Sequence, residues 1–379
     1  MLSSFLRSLP RRIGPTWKPL NFSNPNYVRI PVTQKIEEET MPDYVASRYY
    51  PARIGDILKN QYQIVGKLGF GASSTVWLAR DMDYRRYLDD ELQMYQRIEK
   101  GSTNHPGRSA VRSLLDSFNI DGLEDKHRCL VHPPLCESVL TFLHRNPVQR
   151  LPPPVLAFTL KRLFLALDYL HRECHSIHAD IKADNIMFGV ADDSVFDDFI
   201  ENELHTPCPR EEVDGRTIYI SQELGTPKEW GAPVLCDFGS AMPGGIEHLE
   251  DIQPNIYRAP EVILEAPWTY SVDIWNVGCM ISNVLEGGSL FTGHDPESQA
   301  YRSRAHLAEM IRLLGPPPPD LLAQGNLSHK LFSDGGDFYA KALLVFLRLV
   351  HKMLQWEPAK RSSAKELQQD EWIRKTLRE

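Results

Sequence analysis

The chain lacks any apolar run approaching the roughly 18 residues of a membrane span. The nearest, Ala342 to Leu354, is broken by Arg348, His351 and Lys352, so the protein reads as soluble. It also lacks paired cysteines. Cys129, Cys136, Cys174, Cys208, Cys236 and Cys279 are scattered, with no Cys-x-x-Cys. That spacing excludes a zinc site of that type and a secreted disulfide framework, leaving reduced thiols in an intracellular protein. Acidic residues are absent before Glu37, whereas Arg7, Arg11, Arg12, Lys18, Arg29 and Lys35 precede it. Such a stretch has the composition of a mitochondrial transit peptide. Pro10, Pro15, Pro19, Pro25 and Pro31 leave only Leu2 to Leu9 free to form a helix, which favours a basic, Pro-rich tail over 1–42. No internal repeat of 20–50 residues is visible.

What is present is an ordinary globular composition, 42% hydrophobic and 24% charged, which excludes a wholly disordered chain and a coiled coil. The net charge of −8 hides an asymmetry. Beyond residue 36 there are 36 basic against 50 acidic residues, a net of −14. An acidic body favours a basic protein partner over nucleic acid. Residues 189–233 form an acidic island, with eleven acids and three basic residues, and read as an inserted, mobile loop.

Tyr62 to Ala79 reads as two strands around a glycine turn, and Leu92 to Ile98 as helical. Cys129 to Leu135 reads as a strand and hinge, interrupted by Pro133 and Pro134. Leu156, Leu160, Leu163, Leu167 and Leu170 recur on one face of a 3.6-residue period, with Pro152 to Pro154 at the helix start.

The turn itself, Gly69-Phe70-Gly71-Ala72-Ser73-Ser74 followed by Val76, lets backbone amides approach phosphates. Alone it is a common hairpin. After the Leu-rich helix comes His178-Ala179-Asp180-Ile181-Lys182-Ala183-Asp184-Asn185. One loop thus supplies a hydroxyl-orienting base, a cation for a transferred phosphate and a metal ligand, the groups that phosphoryl transfer needs together. Asp237-Phe238-Gly239 adds a second carboxylate for magnesium. Tyr257-Arg258-Ala259-Pro260-Glu261 and Asp273-Ile274-Trp275-Asn276-Val277-Gly278 follow, with a late Arg361 able to pair with Glu261.

In this order the motifs resemble those of the eukaryotic protein kinase family, from about Tyr62 to Trp372. The resemblance implies an α+β, bilobal fold with a small antiparallel N-lobe, truncated here, and a mainly helical C-lobe. The implied domains are the tail 1–42, an N-lobe over 43–135, and a C-lobe over 136–379 that carries the insert 189–233. A closer resemblance is to the SR-protein kinases. It rests on Tyr50-Pro51-Ala52-Arg53-Ile54-Gly55-Asp56, on Ser73-Ser74-Thr75-Val76-Trp77-Leu78-Ala79-Arg80-Asp81, and on an insertion placed as in that subfamily. It implies Arg-Ser-rich splicing factors as substrates, with no direct nucleic acid and no membrane, for a monomer of the cytoplasm, the nucleus or both.

Carried over residue by residue, the resemblance makes Asp180 the catalytic base and Lys182 the γ-phosphate support. Asn185 and Asp237 would hold Mg²⁺. Leu68, Gly69, Gly71 and Val76 would cover ATP, with the carbonyl of Pro133 and the amide of Leu135 at the adenine. Ala179 stands where many kinases carry an arginine that receives an activating phosphate, and no Ser or Thr lies between Met242 and Ile256. The loop is therefore expected to work without phosphorylation.

One part is missing. Glu91 matches the helix glutamate of the family, yet no lysine lies between Lys67 and Lys100 to pair with it. By strand parity Lys67 faces away from the nucleotide, and Arg80, further along, is a poor mimic of an ammonium. Tyr87-Leu88 looks like the stump of the lost strand. Two readings stay open: a kinase that is weakly active or comes from a gene model lacking an exon, and a pseudokinase scaffold without phosphotransfer.

Overall fold

The computed structural model describes residues 18–72, 74–82, 92–122, 126–295, 298–328 and 352–376. Its first strands are β1 (Ile57–Leu58), β2 (Tyr62–Phe70), β3 (Thr75–Asp81), β4 (Asp116–Asp121), β5 (Lys126–Val131) and β6 (Leu135–Ser138). They are followed by β7 (Ser176–Ile177), β8 (Ile186–Val190), β9 (Arg210–Val213), β10 (Arg216–Tyr219), β11 (Trp230–Leu235) and β12 (Met242–Pro243). The helices used below are α1 (Leu92–Lys100), α2 (Val139–Arg145), α3 (Pro153–Arg172), α4 (Ser194–His205), α5 (Pro260–Ile263) and α6 (Ser271–Glu286). The α+β class is as expected. Among the described residues no helix is long and apolar enough to cross a membrane.

Contacts divide the chain into two units. The first gathers Met1–Asp89, Leu115–His132 and Asp192–Lys228; the second holds Asp90–Leu114, Pro133–Ala191 and Glu229–Glu379. These boundaries differ from 43–135 and 136–379. The insert belongs with the first unit, and the segment containing α1 belongs with the second.

In the first unit β1, β2 and β3 form an antiparallel sheet and β4 pairs with β5. From Tyr62 to Lys67 every residue of β2 is buried, so both faces of the strand are covered. The insert does much of the covering. Rather than a loop, it is a helix and a hairpin, α4 followed by β9–β10. Val195, Phe196, Phe199 and Ile200 share one face of α4, the amphipathic spacing that buries a helix against a sheet. Phe199 packs with Val65, Leu78 and Leu224, flanked by Phe22, Leu68, Phe196 and Ile200. Gly66 leaves room for this: a Cβ there would meet the Phe199 ring at 2.5 Å. On the hairpin side, Trp77 meets Tyr219 edge-on at 5.7 Å.

The described part of the tail is also built in. Ile30 N donates to Arg210 O (2.9 Å) and Arg210 N to Val28 O (3.1 Å), and Asn24 Nδ2 donates to Leu204 O (2.9 Å). The Arg210 guanidinium lies 4.1 Å from the Tyr27 ring centroid and 4.7 Å from that of Tyr219. The acidity that suggested a solvated loop is partly internal. Glu203, 2% exposed, accepts from Cys208 N (3.0 Å), Gln222 Nε2 (2.6 Å) and Arg210 Nη2 (3.4 Å).

The second unit is built on α3. Its Leu156, Leu160, Leu163, Leu167 and Leu170 are all buried, and Pro153 and Pro154 occupy its first turn, where no N–H is needed. A three-stranded sheet, β11–β8–β6, lies in the same unit, and α6 is buried along most of its length.

Phe199→Ala is expected to destabilise the protein by about 3 kcal/mol, the cost of emptying a packed aromatic site. Chemical denaturation measures it. A change within about 0.5 kcal/mol would show the insert to be a surface loop after all.

Candidate active site

After α3 the chain turns through β7 into the segment His178 to Lys182, a 3₁₀ turn over Ala183–Asn185, and β8. Ala179 is fully buried at φ 65°, a left-handed backbone that a non-glycine residue adopts only when its surroundings impose it. Asp273, near the N-terminus of α6, imposes it. The carboxylate accepts from His178 N (2.9 Å), Ala179 N (2.8 Å) and His171 Nε2 (2.8 Å). Burial pushes the Asp273 carboxyl up, but His171, His178 and the donated N–H groups outweigh it and hold it below its ordinary value. Asn276, one turn further along α6, takes Ile181 N at its Oδ1 (3.3 Å) and donates to Tyr257 O (2.8 Å). Asn276 has a role the sequence reading missed. Its signal was the spacing to Asp273, which puts both side chains on one face of a helix.

The imidazole of His178 continues the frame. Nε2 pairs with Cys236 O (3.0 Å) and Nδ1 accepts from Asp180 N (3.3 Å), which sets the tautomer with hydrogen on Nε2. Asp180 Oδ2 receives Lys182 Nζ (2.7 Å) and Asn185 Nδ2 (3.0 Å), and the same Nδ2 reaches Asp180 O (2.8 Å). Oδ1 has no hydrogen-bond partner among the described residues. Asn185 O accepts from Cys236 N (2.8 Å), which ties this loop to the segment carrying Asp237. Asp237 is exposed, at φ 63°, with Oδ1 accepting from Gly239 N (3.1 Å). Phe238 packs against Tyr95 (5.5 Å) and His178 (5.2 Å).

These oxygens fit a small hard cation. Asn185 spends its Nδ2 on Asp180, which leaves its Oδ1, and Asp237 is accessible. No group of three or more His, Cys, Asp or Glu that could hold a metal occurs among the described residues. Two protein oxygens, with phosphate and water completing the shell, are what Mg²⁺ ordinarily takes.

Further out in the second unit, Arg361 is paired bidentately with Glu261. Nη2 meets Oε2 at 2.7 Å, Nη1 meets Oε1, and both side chains are fully buried. Arg258 Nη2 donates to Asp251 (3.1 Å) beside Tyr257. Leu135 pairs with Gly189 across β6 and β8. Pro133 and Leu135 line a cavity of about 590 Å³ with Val111, Arg112, Ser113 and Val234. Glu91 lies outside the described residues.

In the first unit the glycine turn links β2 to β3, closed by Gly71 N to Ser74 O (2.8 Å). A Cβ on Gly69 or Gly71 would meet nothing within 4 Å, so the protein's own packing does not demand glycine there. Val76 is 46% exposed, while Leu68 is half-buried against the Phe199 cluster. Lys67 is fully buried and paired with Glu38 and with Glu37 (3.3 Å), so its ammonium is committed inside the unit.

The Asp-Lys-Asn loop and second carboxylate of one unit, and the glycine turn of the other, are each parts that a phosphotransferase of the protein kinase class carries. The chain belongs to the protein kinase family: the model of the protein kinase domain matches residues 62–373. It is a protein serine/threonine kinase, and its relatives carry that description. A serine/threonine protein kinase of Aspergillus fumigatus is 38% identical over 98% of both chains. That alignment runs over 405 residues, more than the 379 here, so the relative carries residues that this chain lacks. The serine/threonine-protein kinase SRPK of Physarum polycephalum is 28% identical over 87% of this chain and 90% of its own. Protein kinase dsk1 of Schizosaccharomyces pombe is 26% identical over 85% and 77%.

Asp273→Asn is expected to cost about 2–3 kcal/mol at neutral pH, because three donors lose a charged acceptor. The sign with pH follows from the lowered carboxyl. Its contribution is complete above the ordinary value of 3.8 and fades as pH falls through the folded-state value. Unfolding curves should show a constant gap between wild type and variant from pH 8 to about pH 5, closing below about pH 4. A gap that persists undiminished at pH 3 would contradict this.

Proposed function

We propose that this kinase transfers the γ-phosphate of ATP to serines of basic, Arg-Ser-rich proteins, working in the cytoplasm, the nucleus or both. The observation that carries the reading is the Asp180 carboxylate, with one oxygen held by Lys182 and Asn185 and the other open. The open oxygen orients the substrate hydroxyl and takes its proton, and Lys182 stands beside it to meet the phosphate that hydroxyl attacks. Asn185 and Asp237 would hold Mg²⁺, which when bound neutralises phosphate charge. Leu68, Gly69, Gly71 and Val76 cover the nucleotide, with Pro133 and Leu135 at its base. Relatives named SRPK and SRSF protein kinase 3 support the substrate class, as does the net −14 of the body.

A second reading, a binding module without phosphotransfer, is favoured by one observation. Lys67 is locked to Glu37 and Glu38, and no lysine follows it before Lys100. The stretch 83–91, where the missing strand belongs, lies outside the described residues.

Radiolabelled phosphate transfer to an Arg-Ser repeat peptide separates the two. The wild type is expected to label the peptide, and Asp180→Ala to lose about 10³-fold in rate. Equal background from both proteins would end the enzyme reading.

A further inference from the structure

The tip of the glycine turn is held from outside its own hairpin. Tyr49, only 3% exposed, donates its hydroxyl hydrogen as a shared bond to the carbonyls of Gly71 (3.0 Å) and Ala72 (2.8 Å). Tyr49 closes the short 3₁₀ turn Ala46–Arg48, and that turn is gripped by the insert. Arg216 of β10 donates through Nη2 to Tyr49 O (2.6 Å) and through Nη1 to Ala46 O, so one planar fork clamps both ends of the turn. The same hairpin holds the following residues twice more, by Arg53 Nη2 to Gly215 O (2.9 Å) and Ile54 N to the Tyr219 hydroxyl (3.2 Å). The Tyr44 ring backs that of Tyr49 at 5.4 Å. All these groups lie in the first unit.

We propose that Tyr49 is a positioning residue for the nucleotide phosphates, and that Arg216, supplied by the acidic insert, positions Tyr49. The proposal rests on the reading of the glycine turn as a nucleotide site. Its basis is peptide geometry. Across a trans peptide the carbonyl and the next N–H point in opposite directions. Tying Gly71 O to Tyr49 therefore turns the Ala72 N–H away from Tyr49, leaving it free to donate. A glycine-bearing tip left to itself samples flipped peptides, and a flipped carbonyl presents negative charge to a phosphate. A Cβ at Gly69 or Gly71 would meet nothing within 4 Å, so packing around the tip does not hold it. The Tyr49 hydroxyl supplies that restraint, as a donor preorganised at no cost when the ligand arrives. A segment more than 140 residues away in sequence thereby sets the affinity of the phosphate loop.

The test uses the full chain and two single variants. Tyr49→Phe keeps the ring and removes only the hydroxyl; Arg216→Gln opens the clamp. Calorimetric titration with Mg-ATP is expected to show a Kd raised roughly fivefold in Tyr49→Phe, the worth of one hydrogen bond. Arg216→Gln should act in the same direction, with the double variant less than additive because both act through one turn. Hydrogen exchange at the Gly71 amide, bonded to Ser74 O, should be faster in both variants without nucleotide, while the melting temperature stays near that of the wild type. An unchanged Kd in Tyr49→Phe overturns the proposal, whatever the exchange shows, and leaves the nucleotide site standing. A wild type that neither binds Mg-ATP nor labels a substrate removes the nucleotide-site reading, and the proposal with it.

Discussion

The first unit is organised around one buried ammonium. Lys67 sits within β2 with its side chain 1% exposed, between Glu37, Glu38 and the carbonyl of Tyr219 (3.2 Å). Its own backbone oxygen accepts from Gln222 N (2.8 Å), and Glu37 also takes the amide of Ser221 (3.0 Å) and its hydroxyl (2.5 Å). Tail, sheet and insert therefore meet at a single residue. Taking one cation and two carboxylates out of water is costly unless each keeps its partners, so the three segments hold together or come apart as a set. This explains why the insert and the described part of the tail pack on the same strand. It also commits the Lys67 ammonium to Glu37 and Glu38 inside the unit.

The second unit has a counterpart in Asp273. It is an anion rather than a cation, and what it organises is a loop rather than a set of segments. By accepting the amides of His178 and Ala179 it fixes the backbone immediately before Asp180, while Asn276 fixes the residue after it. The backbone on both sides of Asp180 is thus fixed by one helix. Ala179 occupies its left-handed position through these bonds.

The parts legible in the sequence were those whose chemistry is local. The Asp180 to Asn185 loop is contiguous, so residue types and spacing were enough to expect Asp180, Lys182 and Asn185 as one group. The leucine stripe of α3 is a periodic signal that burial enforces along a single helix. The insert failed for the opposite reason. Its acids suggested solvent, but Glu203 is satisfied by Gln222 and Cys208, and Arg210 by rings from the tail and the hairpin. Composition has no record of pairing across the fold. Parity arguments along β2 were weakened too, since register shifts between Ile64 and Gly66 and between Lys67 and Gly69 interrupt the alternation. Lys67 is nonetheless directed into the tail and the hairpin, not toward open space.

Hydrogen exchange on the intact protein tests the central claim, that the described tail and the insert are structural parts of the first unit joined through Lys67. The amides of Ile30, Arg210 and Gln222 each bond to a partner in another segment. In the wild type they should exchange as slowly as those of β2 and β3. In Lys67→Met, which leaves Glu37 and Glu38 buried without a cation, all three should lose protection together. Fast, independent exchange at these amides in the wild type would contradict the account.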